Sequence, residues 1–314
     1  NLHLHNLKSQ ICMKISLIKF YFLLLLCFTF QVNAQVEALF NDQTEVKTME
    51  ARWELDSLST KGTFLLTPYK SVYIMPFLWS SNPVRKPISG NPDEGYIPAE
   101  ELPYDALEGA FQLSFKTKIL QSFLWGKADL WLAYTQVSYW QIYNEELSRP
   151  FRELNYEPEI ILNFPVNFKV LGLNAKMLGV SFNHESNGKS LPYSRSWNRI
   201  IFMAGLTRDN WHIYIRPWYV IPESNGDNPD ISDYIGNGDL NVIYTKNKNV
   251  FTFMGTNNFN FEGNMRGNLM VSWAFPIKGN LKGYLQASHG FGTSLIGYNQ
   301  TETTVGLGVS LIEF

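Results

Sequence analysis

From about residue 70 to the C-terminus, the chain breaks into segments of roughly ten residues in which polar and apolar side chains alternate, separated by Gly, Asn, Asp, Pro and Ser clusters. Only a β-strand sends successive side chains to opposite faces, so this region must fold as sheet. Twelve segments are expected, at about 70–79, 110–120, 127–143, 157–168, 175–186, 197–208, 210–219, 236–246, 249–259, 265–276, 280–289 and 303–314. Their number is even, and their length is roughly what a tilted strand needs to cross a bilayer. The expected fold is therefore all-β, a twelve-stranded antiparallel transmembrane β-barrel, in which closure leaves no backbone polar group unpaired in lipid. A soluble sandwich or lipocalin-like barrel would alternate just as well, so the polarity of the outward face must decide.

In the segment from Trp211, the residues Trp211, Ile213, Ile215 and Tyr219 share one face, and His212, Tyr214, Arg216 and Trp218 share the other. The last segment places Val305, Leu307 and Val309 opposite Gly306, Gly308 and Ser310 and ends on Phe314, a terminal aromatic similar to the assembly signal of bacterial outer-membrane barrels. After the leader, no run approaches the length of a transmembrane helix, and a formal net charge of −2 offers no basic face to nucleic acid.

The N-terminus reads as a leader. Met13 is followed by Lys14 and Lys19, an apolar run from Phe20 to Phe30, and Val32-Asn33-Ala34, the pattern of a cleaved secretory signal peptide. Residues 1–34 are thus expected to be an upstream extension plus signal peptide, with the mature chain starting at Gln35. Cys12 and Cys27 both fall in this leader, and Leu24-Leu25-Leu26 lacks the small residues of a lipoprotein cleavage site. The exported chain then has no disulfide to rely on. Residues 35–314 are expected to form a single outer-membrane domain, with 35–69 a short periplasmic segment at one barrel end. The stretches 80–105 and 222–233 read as long loops.

Parity within the strands exposes a chemical grouping. His184 and Ser186 share a face with the apolar Leu178, Val180 and Phe182, and Asn198 shares one with Ile200, Phe202, Ala204 and Leu206. In a membrane barrel that apolar face meets lipid, so three polar groups emerge there on adjacent strands. A serine hydroxyl becomes nucleophilic when an imidazole accepts its proton, and the imidazole needs a third group to set its tautomer. Asn198 supplies a neutral acceptor where a buried carboxylate would be unfavourable. Alone, a His-x-Ser pair on a strand more often marks ordinary surface than a catalyst.

Two longer blocks strengthen the reading. The stretch 181–199, SFNHESNGKSLPYSRSWNR, resembles the active-site segment of the outer-membrane phospholipase A (phospholipase A1) family, and 134–158, YTQVSYWQIYNEELSRPFRELNYEP, resembles that family's Tyr-Thr-Gln segment running into Pro-Phe-Arg-Glu. The resemblance implies a calcium-dependent enzyme that hydrolyses acyl esters of glycerophospholipids, with A1 activity and also A2 and lysophospholipase activity. It implies Ser186 as nucleophile, His184 as general base and acid, Asn198 as the orienting residue, and the Gly188 amide as oxyanion donor. Calcium would be held by the Ser194 hydroxyl and the Lys189 carbonyl, with Ser148 from a partner chain. Lys189 replaces the family's usual Arg, a change that a carbonyl ligand tolerates.

Gln136 lies on the same face as Leu130, Leu132, Tyr134 and Trp140. An amide on a lipid face needs a partner. The resemblance implies a Gln-to-Gln hydrogen bond across a homodimer; an interfacial side chain reaching headgroups is the alternative. The expected partners are membrane phospholipids, a second copy of the chain and the outer-membrane insertion machinery. Glu146, Glu153 and Glu157 read as loop or rim charges, His212 and Arg216 as members of a lumen network, and His289 as structural. The rival function is a catalytically silent outer-membrane pore or structural barrel.

Overall fold

A computed structural model describes residues 47–224 and 226–312. The segment expected to be a signal peptide, the start of the 35–69 segment and Phe314 lie outside the described residues. Among the described residues there are thirteen strands: β1 (Leu66–Pro68), β2 (Val72–Ser80), β3 (Leu107–Ser122), β4 (Ala128–Trp140), β5 (Glu153–Val170), β6 (Leu173–Ser186), β7 (Ser196–Arg208), β8 (Trp211–Val220), β9 (Gly238–Lys246), β10 (Asn249–Asn257), β11 (Gly267–Lys278), β12 (Leu281–Gly290) and β13 (Glu302–Ile312).

From β2 onward each strand pairs antiparallel with the next, and β13 returns to β2, which closes a twelve-stranded barrel. The twelve-strand expectation is met. What alternation did not reveal is β1. It pairs Leu66 with Thr117 at the far end of β3, while β2 pairs Tyr73 with Gln112. The two pieces follow the same flank of β3, and three residues are too few to carry a periodic signal.

The two ends differ. At one end the strands are joined by tight turns, with positive φ at Leu171 and Gly172, at Asp209, and at Asn247 and Lys248. Such backbone twists with the flanking strands and suits a two-residue hairpin. At the other end lie the long connections, including 81–106, 141–152, 187–195 and 221–237. Short turns on one side and long loops on the other are the asymmetry of outer-membrane barrels.

The polarity of the two faces separates a membrane barrel from a soluble one. Phe182, Phe202, Ile215, Leu269 and Leu307 are exposed on the outer wall, while Lys116, Lys118, Glu159, Asn163 and Asn183 are buried in the interior. Water would not favour that inversion; a bilayer does. Charges inside are paired. Glu157 accepts from Lys70 Nζ at 2.5 Å and lies 3.5 Å from Arg199 Nη2, and Arg216 makes a forked pair with Asp239 at 2.6–3.1 Å. Arg152 bonds both oxygens of Glu108 at 2.8 Å and lies 3.3 Å from Glu153. Glu153 and Glu157 are therefore interior ion-pair members and not rim charges. For Glu153 the reason is that β5 starts there, opposite Tyr139, four residues before the alternation becomes visible; Glu157 opens the visible segment and sits opposite Thr135, inside the wall.

Residues ahead of β1 pack into the lumen. Thr48 Oγ1 caps the short helix Met49–Trp53 by accepting from Ala51 N at 3.2 Å. Trp53 stands edge-on to Tyr69 and Trp131, with Lys116 Nζ 4.0 Å from its ring centroid. Lys118 Nζ bridges Glu54 at 2.9 Å and Asp129 at 2.7 Å. Met49 is seated over Gly205, where a Cβ would come within 2.6 Å of its sulfur.

The Arg216–Asp239 fork yields a stability prediction. Arg216→Met should lower the unfolding free energy by about 3–5 kcal/mol, because it strands the buried Asp239 carboxylate, and adding Asp239→Asn should recover much of that loss. Urea unfolding in lipid vesicles, followed by tryptophan fluorescence, would measure both. A double variant no better than the single one would mean that packing, and not charge, sets the cost.

Candidate active site

The site is assembled where β6 and β7 leave the membrane wall. Their register sets His184 opposite Asn198 and Ser186 opposite Ser196. Two positions along a strand place the His184 and Ser186 side chains on one face, about 7 Å apart at Cα and within reach of an imidazole ring. Both are half-buried, at the upper end of a column that continues down through exposed Phe182 and Leu178.

His184 Nδ1 lies 2.9 Å from Asn198 Oδ1. The amide's other end donates from Nδ2 to Glu223 Oε1 at 2.5 Å. Behind these residues, on the lumen side, Glu185 accepts from Arg199 Nη2 at 2.8 Å and from Trp197 Nε1 at 2.9 Å, and Arg199 reaches Asn183 at 2.6 Å. Intervening residues of the same two strands thus lock the backbone that carries the outward-facing groups.

The connection 187–195 is tied shut by one buried side chain. Asn187 donates from Nδ2 to the Tyr193 carbonyl at 2.8 Å, while its Oδ1 accepts from the amides of Lys189 at 3.3 Å and Arg195 at 3.0 Å. Gly188 has φ +61°, and a Cβ there would lie 3.0 Å from the Tyr156 ring, so a side chain at this position would be strained and crowded. Burial lowers the Lys189 ammonium from its ordinary range, opposed by the Glu153 carboxylate. Among the described residues no group of three His, Cys, Asp or Glu side chains converges as a metal cage.

Ser194 Oγ donates to Asp227 Oδ2 at 2.6 Å, Ser196 Oγ to the same oxygen at 3.2 Å, and Tyr96 OH to Oδ1 at 2.9 Å. Asn228 Oδ1 accepts from the Ser196 amide at 2.9 Å. Asp227 and Glu223 are the acids that sequence reasoning missed. Both lie in the 221–237 connection, outside any alternating strand, and the only linear trace of them is the acid-rich character of that loop.

Two expected site residues stand apart. Ser148 lies in the 141–152 connection, its carbonyl accepting from Trp140 Nε1 at 2.7 Å, and no hydrogen bond among the described residues joins it to Lys189 or Ser194. Gln136 is on the outer face of β4, where Oε1 accepts from Tyr134 OH at 2.9 Å and Nε2 donates to Ser138 Oγ at 3.2 Å. Its amide thus has partners within its own strand.

Comparison with known proteins now adds to this geometry. The family model described as Phospholipase A1 matches residues 49–311. The phospholipase A1 of Klebsiella pneumoniae is 36% identical over 248 residues, 79% of this chain and 82% of that protein. The Escherichia coli K12 phospholipase A1 is 35% identical with the same coverage. Among solved structures, the Salmonella typhi outer-membrane phospholipase, a dimer with bound calcium, superposes with a TM-score of 0.73 at 32% identity, covering 86% of this chain and 99% of that one. An active-site asparagine-to-alanine mutant of the Escherichia coli outer-membrane phospholipase A gives 0.72 at 32% identity, covering 85% and 99%. With the family model matched over most of its length and relatives sharing a third of its residues, this chain belongs to the phospholipase A1 family.

Proposed function

We propose that this protein is a calcium-dependent outer-membrane phospholipase that hydrolyses acyl esters of glycerophospholipids, mainly at the first acyl position, and acts as a homodimer. The observation that carries the reading is the His184–Asn198 hydrogen bond on the lipid-facing wall, beside Ser186. A serine hydrolase embedded in its substrate's solvent can take lipid laterally, so the ester carbonyl needs no extraction through water.

The chemistry follows from the residues. Ser186 Oγ attacks the ester carbonyl while His184 Nε2 takes its proton, and Asn198 Oδ1 holds the Nδ1–H of the imidazolium. The Gly188 amide donates to the developing oxyanion. Collapse expels the lysolipid alkoxide, which receives the proton from His184, leaving an acyl-serine. Water, deprotonated by His184, then releases the fatty acid and restores Ser186.

The calcium reading is supported by the donor set. The Ser194 hydroxyl directs its proton to Asp227 and so turns lone pairs outward, near a carboxylate that supplies negative charge. Ser194 Oγ, the Lys189 carbonyl and the partner's Ser148 are hard oxygen donors that suit Ca²⁺ better than a soft metal. Bound there, the ion would add positive charge near the oxyanion. The Salmonella relative's dimer with bound calcium and the Escherichia coli active-site asparagine favour the same assignment. Gln136 would exchange its bonds within β4 for a bond across the dimer. The signal peptide would be cleaved on export, and the barrel inserted by the outer-membrane assembly machinery. A silent pore is disfavoured by an interior filled with paired charges and buried aromatics.

Ser186→Ala and His184→Ala should each leave a folded barrel but lower kcat on the order of 10³-fold or more, measured by fatty-acid release from a short-chain phospholipid in detergent. Near-normal turnover in either variant would place the nucleophile elsewhere. Asn198→Ala should lose less, since it positions the base without exchanging protons.

Calcium, dimerisation and activity should rise together, because the metal site is completed across the interface. Ser148→Ala should weaken calcium-dependent dimerisation and hydrolysis alike, and Gln136→Ala should weaken dimerisation by roughly a kcal/mol or less. Sedimentation in detergent with and without Ca²⁺, set beside the rate, is the measurement. Fully active monomers at low calcium would refute the shared site.

A further inference from the structure

One contact on the catalytic face is not used by the Ser186–His184–Asn198 assignment, namely the 2.5 Å hydrogen bond from Asn198 Nδ2 to Glu223 Oε1. We propose that Glu223 is a positioning residue for the hydrolytic site, holding Asn198 in the one orientation that gives His184 a tautomer able to deprotonate Ser186. This inference rests on the serine-hydrolase reading above.

The argument begins with the difference between an amide and a carboxylate. A carboxylate can offer either oxygen to an imidazole N–H, so it imposes the same tautomer whichever way it turns. An asparagine has one acceptor end and one donor end. With Oδ1 toward His184, Nδ1 carries the proton and Nε2 is left as the base. Turned by 180°, the amide would present Nδ2–H to Nδ1, move the ring proton to Nε2 and leave no base facing the serine. The neutral third member is compatible with lipid, but it introduces this ambiguity.

Glu223 removes it. An ionised carboxylate only accepts hydrogen bonds, so the amide nitrogen must face Glu223 and the amide oxygen must face His184. The same bond polarises the amide toward the oxygen that meets the imidazolium. The placement of Glu223 does not depend on the loop alone. The Ile221 amide donates to the Asn198 carbonyl at 2.8 Å, and Val220 is in register with Arg199, so the ladder between β7 and β8 delivers the chain to within two residues of Glu223. Glu223 itself is exposed at the long-loop end, and among the described residues no cation forms an ion pair with it. Its charge can stay solvated at the rim while acting on the imidazole through one amide.

The test compares Glu223→Leu, which removes the acceptor, with Glu223→Gln, which keeps an oxygen, each alone and combined with Asn198→Asp. A serine triad fixed in the wrong tautomer loses about four orders of magnitude, and an amide free to adopt both orientations loses only part of that. Glu223→Leu should therefore lower kcat by about 10–100-fold with KM within about twofold, and Glu223→Gln, whose amide can either accept from or donate to Asn198, should recover only part of the rate. In the Asn198→Asp background, where either oxygen accepts the imidazole N–H and Glu223 is only a second carboxylate against the first, Glu223→Leu should cause no further loss or a gain. Nitrogen-15 spectra of the His184 ring in detergent should show a larger Nε2–H fraction in Glu223→Leu than in the wild type.

Wild-type kcat in Glu223→Leu, a change confined to KM, or an equal loss in the Asn198→Asp background would overturn the proposal. Wild-type protein that hydrolyses no phospholipid would instead sink the parent reading, and the ring spectra would still decide the role of Glu223.

Discussion

The structure depends first on the need to pair every backbone amide and carbonyl where no water can do so. In hydrocarbon an unpaired peptide group costs several kcal/mol, so a sheet that crosses a bilayer has to close on itself. The pairing of β13 with β2 meets that need. It also dictates the rest of the molecule. Once the wall is closed, each strand has one face toward lipid and one toward the lumen, and polar side chains that a soluble protein would display outside are forced inward, where they must find partners. The linked charges of Glu157, Lys70, Arg199 and Glu185 are the outcome. They do not define the barrel; they make its interior tolerable and rigid.

The same rigid interior backs the outward-facing candidate site. His184, Ser186 and Asn198 alternate along β6 and β7 with Asn183, Glu185, Trp197 and Arg199, so the residues that anchor the wall are the immediate neighbours of those that face outward. Lipid also constrains which groups can be used. A neutral Asn198 next to the imidazole avoids a carboxylate against hydrocarbon, and the acids of the site, Glu223 and Asp227, are held in the 221–237 connection, where their charge remains close to water. The candidate catalytic groups therefore lie on the strands, and the acids hydrogen-bonded beside them lie in the loop.

Much of the architecture was legible in the linear chain because the period of two is a direct consequence of strand geometry. The same parity that separates Trp211 from His212 puts His184 and Ser186 on an apolar face, and no knowledge of the fold is needed to see it. The reading lost accuracy where alternation fades. β5 begins at Glu153, ahead of its visible pattern, and this turned an interior acid into a supposed rim charge, while Glu157 stands at the edge of that pattern. β1 is three residues long and leaves no pattern at all.

By itself, then, the sequence determined the sheet, the twelve strands of its barrel, the two faces of each clearly alternating segment, and the family motif that singles out Ser186, His184 and Asn198. Those properties are local, set by spacing along one strand or within one short block. Only the tertiary structure decided that the sheet closes, that Met49 and Trp53 fill the lumen, and that Glu223 and Asp227 converge on Asn198 and Ser194. The contacts of Glu223 and Asp227 join residues 25 and 33 positions apart through a loop whose path follows no periodic rule. A loop side chain acquires its partner from where the barrel ends its strands, and strand ends depend on pairing between neighbours, which spacing within one segment does not specify.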